Sequence, residues 1–171
     1  MLVNGRDTRS IRLAEPPRGA PVPEIIDQTR LPHELRFVLL ETLDDAERSI
    51  REMWVRGAPL IGVTAAYGMA LAARTDPSNS GLESAARRLA GTRPTAVNLD
   101  WALSDMVEKL RPLPPADRET AAFEYATSLA DADVAACRAI GLHGSEVLEE
   151  LVASGAPAER LQILTHCNAG W

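Results

Sequence analysis

Cysteine and aromatic residues are scarce in this sequence, and no apolar run is long enough to cross a bilayer. Its 171 residues include two cysteines, too few for a disulfide framework. The amino-terminus lacks the basic and then apolar pattern of a signal peptide. The most apolar run, Ala58–Ala73, is shorter than the roughly 20 residues of a membrane span, so we expect a helix buried inside a protein. We therefore expect a cytoplasmic protein without a membrane partner.

Basic residues are also fewer than acidic residues. The chain has 18 Lys and Arg against 24 Asp and Glu, a formal net charge of −6. Nucleic-acid binding needs a basic face, so the composition argues against a nucleic-acid partner. Hydrophobic residues make up 46% of the chain, which supplies a core and excludes disorder as the main state.

The first 43 residues predict a small antiparallel β-sheet. Strand-like segments at Ile11–Leu13, Glu24–Asp27 and Arg36–Leu40 are separated by prolines, which interrupt regular structure. We assign residues 1–43 to an N-terminal β-sheet extension.

Residues 44–158 are predicted to form a helical domain, because apolar residues recur at helical spacing. The predicted helices are one capped by Asp44, one starting at Pro59, one capped by Ser80, one over Leu99–Leu110, a long one from Asp117 to about Leu142, and one over Ser145–Val152. On the apolar stripes lie Met53, Trp54, Trp101 and Met106, which we expect in the core. Gly62 and Gly68 are expected to let a neighbouring backbone approach closely.

The last segment changes pattern again. Arg160–Cys167 predicts a short strand that leads into a small-residue turn at Asn168–Gly170. A strand after a helical domain is how an α/β domain begins, and parallel strands need neighbours and covering helices. We therefore expect a mainly α protein with a small N-terminal sheet, whose residues 159–171 are the first strand and turn of a Rossmann-like domain that is otherwise missing. On this interpretation the chain is an N-terminal portion.

Three segments could carry chemistry, and the first is Val55–Pro59. Gly57 tolerates positive φ and lets an anion come close, Pro59 starts a helix with free N–H groups, and Arg56 adds a guanidinium. This combination suits a phosphate. The alternative is an ordinary turn in which the arginine caps a nearby group.

The second segment is Thr92–Leu99. Pro94 restricts Arg93 to extended geometry, and Thr95 or Asn98 can cap the following helix. Arg93 could complete an anion site, or the segment could be only the start of a helix.

The third segment contains Cys167. This residue ends the predicted strand, where α/β folds place ligands, and the N–H groups of a following turn can lower the pKa of a thiol. Cys167 is therefore either a reactive thiol or a small packed residue. A zinc site is disfavoured because His166 and Cys167 point to opposite faces of a strand, and Cys137 and His143 lack ligand spacing, so we expect no metal.

Together these segments closely resemble the signatures of the methylthioribose-1-phosphate isomerase family. The resemblance is carried in order by Ile50–Gly68, Arg93–Leu103 and Thr165–Gly170, and it also includes Ile26–Pro32 and Arg138–Gly141. It runs from Ile11 to Trp171, although Cys137 stands where asparagine is more usual. The family comprises aldose–ketose isomerases of methionine salvage, related to regulatory subunits of the translation-initiation guanine-nucleotide exchange factor and to ribose-1,5-bisphosphate isomerase.

The resemblance implies a substrate, a fold and a set of site residues. Arg56, Gly57, Ala58 and Arg93 would contact the sugar phosphate, and Cys167 would be catalytic, within a cytoplasmic homodimer. The family's catalytic aspartate matches nothing in this chain, so we expect the isolated chain to be inactive. The C2 proton could move through a phosphoenolate, or hydrogen could move as hydride. Neither route calls for a metal or an organic cofactor.

Three other functions stay open at this point. The chain could belong to an isomerase of another pentose or deoxypentose 1-phosphate, because the sequence does not locate the pocket for the 5-substituent. It could instead be part of a non-catalytic subunit that senses a sugar phosphate or nucleotide. It could also be a helical interaction fragment.

Overall fold

The computed structural model describes residues 2–3, 5–14 and 19–166. The strands are β1 (Leu2–Val3), β2 (Arg6–Asp7), β3 (Ile11–Ala14), β4 (Val22–Ile26) and β5 (Phe37–Leu39). The helices are α1 (Leu43–Arg51), α2 (Ala58–Thr75), α3 (Asn79–Ala90), α4 (Val97–Leu110) and α5 (Arg118–Ala153), with 3₁₀ turns at Pro115–Asp117 and Ala158–Arg160. The chain divides into two compact units, Met1–Ala130 and Asp131–Trp171.

The predicted N-terminal sheet is confirmed. Strands β3, β4 and β5 pair antiparallel in that order, with Ile25 opposite Ile11 on one side and Val38 on the other. Ile25 is fully buried, because the inner face of the sheet packs on the helices. A two-stranded ladder of β1 and β2, which the sequence did not predict, precedes this sheet. The coarse fold class, mainly α with a small antiparallel sheet, therefore holds.

Helix α2 is the centre of the first unit. Its residues from Ile61 to Ala73 are all buried, and it contacts α1, α3 and α4. Many of its side chains are small, so neighbouring helices pack close to its axis on several sides. The position of α2 agrees with the sequence-based expectation of a helix buried inside a protein. In the described part of the chain, no helix is long and apolar enough to cross a membrane.

Two predicted helix caps are displaced by two residues. Thr42 caps α1, and it forms a reciprocal capping box with Asp45, so Asp44 is not the cap. Ser78 caps α3 by accepting a hydrogen bond from the N–H of Gly81, so Ser80 is not the cap either. Both segments offer several hydroxyl or carboxylate side chains in a row, and spacing alone did not distinguish among them.

Of the four residues predicted to lie in the core, Met106 is confirmed, and the prediction was wrong for Met53 and Trp101. Met106 is fully buried, and Trp54 is half-buried. Met53 is 47% exposed because α1 ends at Arg51, and the backbone of Met53 turns away from the helix with a φ of 59°. Trp101 is 54% exposed, since it lies two residues from the buried Leu99 and Leu103 and therefore on the opposite face of α4.

Helix α5 is continuous where two helices were predicted. It runs through the boundary between Leu142 and Ser145 where two helices were predicted to meet, and it includes Gly141 and Gly144. Glycine lowers helix propensity by only about 1 kcal/mol, and no proline enforces a break there. Most residues of this helix beyond Asp131 are exposed. The place of Cys137 beside Ala135 and Ala136 predicts a packed residue, but Cys137 is exposed, so this prediction was wrong.

The predicted strand near the end of the sequence is not formed in the described residues. A 3₁₀ turn spans Ala158–Arg160, and residues 161–166 have no regular secondary structure. A strand requires hydrogen bonds to a neighbour, and no described segment pairs with these residues.

A single buried guanidinium joins the carboxyl ends of α2 and α4. Arg118 is 4% exposed. Its Nη1 donates to the carbonyl of Pro77 at 2.6 Å, its Nη2 to that of Arg111 at 2.8 Å, and its Nε to that of Leu113 at 2.9 Å. Pro77 follows the end of α2, and Arg111 follows the end of α4, so these two helix ends lie side by side. The cation offsets the partial negative charge at both ends.

Replacing this guanidinium should therefore destabilise the first unit. We predict that Arg118→Met lowers the free energy of unfolding by about 2 to 4 kcal/mol, because three carbonyls lose a charged donor. Arg118→Lys should give a smaller loss, since one ammonium cannot reach all three oxygens. Urea unfolding measures both.

Arg111→Met is the matched control. The Arg111 side chain is exposed and pairs with the exposed Glu83, so its loss should cost less than about 1 kcal/mol. Equal losses for Arg118→Met and Arg111→Met would contradict the role assigned to Arg118.

Candidate functional site

The first predicted segment forms an open amino-terminus at α2. Gly57 is the N-cap with a φ of 98°, a positive value that glycine tolerates, and no side chain caps the helix. The first turn contains no acidic residue, and Ala58 and Pro59 are exposed. The positive end of α2 therefore faces solvent, and its own first turn offers no carboxylate that would compete with a bound anion. Arg56, also exposed, immediately precedes it.

The turn before α2 is held by backbone hydrogen bonds from both sides. The N–H groups of Trp54 and Val55 donate to the carbonyl of Ser49 at 2.9 and 3.3 Å. The N–H of the buried Gln28 donates to the carbonyl of Trp54 at 2.8 Å. Sequence reasoning assigned no function to Gln28. Its place in Ile26–Pro32, one of the segments that carry the family resemblance, could have drawn attention to it.

The loop that carries Gln28 has its own anchor. Asp27 is 5% exposed, and its Oδ1 accepts hydrogen bonds from the N–H of Thr29 at 3.0 Å and from the Thr29 hydroxyl at 2.6 Å. The N–H of Asp27 donates to the carbonyl of Arg36 at 2.9 Å. These bonds hold the loop against the sheet. The N–H of Gln28 therefore donates to the turn before α2 from a fixed position.

The second predicted segment forms a similar open amino-terminus at α4. The N-cap is Ala96, which has no capping side chain, so the prediction that Thr95 or Asn98 caps this helix was wrong. The N–H of Ala96 donates to the carbonyl of Arg93 at 3.0 Å, which sets Arg93 just outside the helix. Asp100, the acid of the first turn, lines the groove between α3 and α4.

The two open amino-termini lie next to each other. A Cβ atom built on Gly62 would lie 2.9 Å from the carbonyl oxygen of Asn98 and 3.5 Å from the Cβ of Ala102. This confirms the predicted close backbone approach at Gly62, whereas at Gly68 the nearest atoms belong to the side chains of Ala46 and Leu89. Gly62 lies four positions after Ala58, which is about 6 Å along α2. Asn98 is in the first turn of α4.

Helices α2 and α4 are therefore parallel. Their amino-ends meet at Gly62 and Asn98, and their carboxyl ends meet at Arg118. Each amino-end carries about half a positive charge, and the two charges add because the helix dipoles point the same way. Arg56, Gly57, Ala58 and Arg93 belong to this same end of the helix pair. The arrangement can hold a doubly charged anion such as a phosphate ester.

The remaining predicted site residue, Cys167, lies outside the described residues. His166, which precedes it, is exposed. Within the described ranges, no group of three or more His, Cys, Asp and Glu side chains is placed to hold a metal ion.

Sequence comparison defines the class of this chain. Residues 54–171 match the profile of the initiation factor 2 subunit family, IF-2B. This chain belongs to that family.

The curated relatives include methylthioribose-1-phosphate isomerases. Those from Brucella anthropi and Rhizobium meliloti are 52% and 51% identical to this chain over 171 residues, and the one from Methylorubrum populi is 54% identical over 172. Each match covers 100% of this chain and 46% of the relative. The chain thus spans about half the length of the curated relatives it matches.

Two solved structures share the fold. The 5-methylthioribose 1-phosphate isomerase from Pyrococcus horikoshii matches with a TM-score of 0.72 and 32% identity, over 81% of this chain and 40% of that one. The translation initiation factor eIF-2B, subunit delta, from A. fulgidus matches with a TM-score of 0.66 and 33% identity, over 75% of this chain and 38% of that one.

The close approach at Gly62 yields a prediction about the helix pair. Gly62→Ala should lower the free energy of unfolding by about 1 to 3 kcal/mol, because the new methyl group would push α4 away from α2. Gly91→Ala is the control, since its Cβ would meet its nearest atoms at an ordinary 3.5 Å, and it should change stability by less than about 0.5 kcal/mol. Urea unfolding of both variants measures the difference, and a neutral Gly62→Ala would argue against the packing described here.

Proposed function

We propose that these residues form the N-terminal part of an aldose–ketose isomerase that converts 5-methylthioribose 1-phosphate to 5-methylthioribulose 1-phosphate in methionine salvage. The observation that carries this proposal is the shared positive end of α2 and α4, with Arg56 and Arg93 beside it. The names of the relatives supply the identity of the reaction.

On this proposal the phosphate of the substrate lies at the paired amino-ends. Gly57 lacks a side chain, so a phosphate oxygen can approach the backbone N–H groups of Gly57 and Ala58. Arg56 and Arg93 add guanidinium donors from the two sides. The turn that carries Arg56 is braced through Gln28 and Ser49, which limits the ordering that binding requires.

The chemistry needs two further groups. The anomeric oxygen of the sugar carries the phosphate, so the ring does not open spontaneously, and an acid must protonate the ring oxygen while C1 and C2 exchange oxidation state. We assign Cys167 to the C1–C2 side, where it shuttles the C2 proton or assists a hydride shift. The acid corresponds to the family aspartate that has no match in this chain. A Rossmann-like domain that begins near residue 159 would carry it.

The cellular setting is part of the proposal. Sugar phosphates are charged metabolites of the cell interior, which supports a cytoplasmic enzyme. The family resemblance supports a homodimer of the full-length protein.

A second candidate function is a non-catalytic subunit that senses a sugar phosphate or a nucleotide. The similarity to subunit delta of eIF-2B favours it, because the same helical fold serves in that protein. Turnover separates the two functions, since a sensing subunit would bind the phosphate without isomerising the sugar. Turnover on 5-methylthioribose 1-phosphate also separates the proposed enzyme from isomerases of other pentose 1-phosphates.

The phosphate assignment predicts the behaviour of Arg56→Ala and Arg93→Ala in the full-length enzyme. Each should weaken substrate binding by about 1.5 to 3 kcal/mol, or roughly 10- to 150-fold in KM, because a charged hydrogen bond is lost. Arg87→Ala, which removes an exposed arginine of α3, should leave KM unchanged. Steady-state kinetics with 5-methylthioribose 1-phosphate provides the test. An unchanged KM and kcat in Arg56→Ala would remove that residue from the site.

The role of Cys167 is tested by Cys167→Ser in the same enzyme. The change is nearly isosteric, so the fold should persist, while kcat should fall by about 10² to 10⁴, the contribution of one acid–base group. Cys137→Ser is the control and should retain full turnover, because Cys137 is exposed on α5. Near-normal turnover by Cys167→Ser would return this cysteine to the packed-thiol interpretation.

A further inference from the structure

The segment Ile26–Pro32 carries part of the family resemblance, yet the proposed chemistry uses none of its side chains. At its start Asp27 is 5% exposed, although a carboxylate is almost never buried without partners. Its Oδ1 accepts two hydrogen bonds from Thr29, one from the N–H at 3.0 Å and one from the hydroxyl at 2.6 Å. Its Oδ2 lies 3.9 Å from Nε of Arg30. These partners all belong to the next three residues, so the carboxylate shapes its own loop.

The loop that Asp27 shapes presents one backbone donor to the turn before α2. Gln28 lies between Asp27 and Thr29, and its N–H donates to the carbonyl of Trp54 at 2.8 Å. The N–H of Trp54 donates in turn to the carbonyl of Ser49 at 2.9 Å. Trp54 is therefore held through both of its backbone polar groups, from α1 on one side and from the loop on the other.

From Trp54 the chain reaches the candidate phosphate site in two residues. Val55 is fully buried, and Arg56 and the N-cap Gly57 follow it. Two residues span at most about 7 Å, so the position of the Trp54 carbonyl limits where the backbone of Arg56 can lie. A site that is ordered before its ligand arrives avoids the entropy cost of ordering it during binding.

We propose that Asp27 and Thr29 are positioning residues for the phosphate site, because their hydrogen bonds fold the loop that holds the turn of Arg56 and Gly57. This inference rests on the proposed function and adds to it two residues that do not touch the substrate. Without the pair the loop samples other conformations, and the substrate phosphate must then order the turn as it binds. The cost falls on binding, while other groups perform the chemical step. KM therefore rises and kcat stays the same.

The test is steady-state kinetics of the full-length enzyme with 5-methylthioribose 1-phosphate. Thr29→Val removes the hydroxyl and keeps the shape of an exposed side chain. It should raise KM about three- to tenfold, the equivalent of one hydrogen bond, and leave kcat within about twofold. Thr29→Ser keeps the hydroxyl and should retain most of the wild-type affinity. Thr75→Val is the matched control, because it is the same substitution at an exposed residue at the opposite end of α2, and it should leave KM unchanged.

Amide hydrogen exchange supplies a second readout on the same proteins. In Thr29→Val the N–H groups of Gln28 and Trp54 should exchange faster than in the wild type, whereas those at the centre of α2 should not, because only the loop and the turn lose their support. Asp27→Ala removes the acceptor itself and should raise KM at least as far as Thr29→Val. If Asp27→Ala does not fold, Thr29→Val decides alone.

The outcomes separate this inference from the proposed function. If the wild-type enzyme does not isomerise 5-methylthioribose 1-phosphate, the proposed function fails and the inference fails with it. If the wild type is active and Thr29→Val leaves KM unchanged, the inference alone is overturned. The inference is also overturned if Thr29→Ser raises KM as far as Thr29→Val does, because the hydroxyl would then have no part in the effect.

Discussion

The parallel alignment of α2 and α4 is the constraint on which the rest of the first unit depends. Parallel helices repel through their dipoles, so each end of the pair needs a compensating charge. At the carboxyl ends the guanidinium of Arg118 supplies it, with hydrogen bonds to carbonyls beside both helices. At the amino-ends no side chain caps either helix. The fold therefore leaves a positive site that an external anion can complete.

Close packing makes this arrangement possible. The carbonyl of Asn98 lies against the Cα of Gly62, so α4 approaches the axis of α2 more closely than a larger side chain would allow. The turn before α2 is held by the loop of Asp27 and Gln28, which rests on the N-terminal sheet. The small sheet thus contributes to the site by bracing the turn of Arg56, although none of its strands supplies a candidate ligand.

The sequence predicted the elements better than their ends. Strands β3, β4 and β5, the buried α2 and the close approach at Gly62 followed from strand-like segments between prolines, from an apolar run and from a glycine within that run. The caps of α1 and α3 did not, because neighbouring Ser, Thr and Asp residues satisfy the same spacing rule, and the cap of α4 did not because Ala96 has no capping side chain. The exposure of Trp101 was missed because this residue was assigned to the apolar stripe of α4, although helical spacing places it opposite Leu99 and Leu103. The structure was also needed to find that α2 and α4 are parallel, because the contact that joins their amino-ends spans 36 residues of sequence.

The central claim is that one phosphate completes the amino-ends of both helices. A crystal structure of the full-length protein with a bound pentose 1-phosphate measures this directly. The account predicts phosphate oxygens within hydrogen-bonding distance of the backbone N–H groups of Gly57 and Ala58 and of the guanidinium groups of Arg56 and Arg93. A phosphate bound elsewhere, with these N–H groups facing only water, would contradict it.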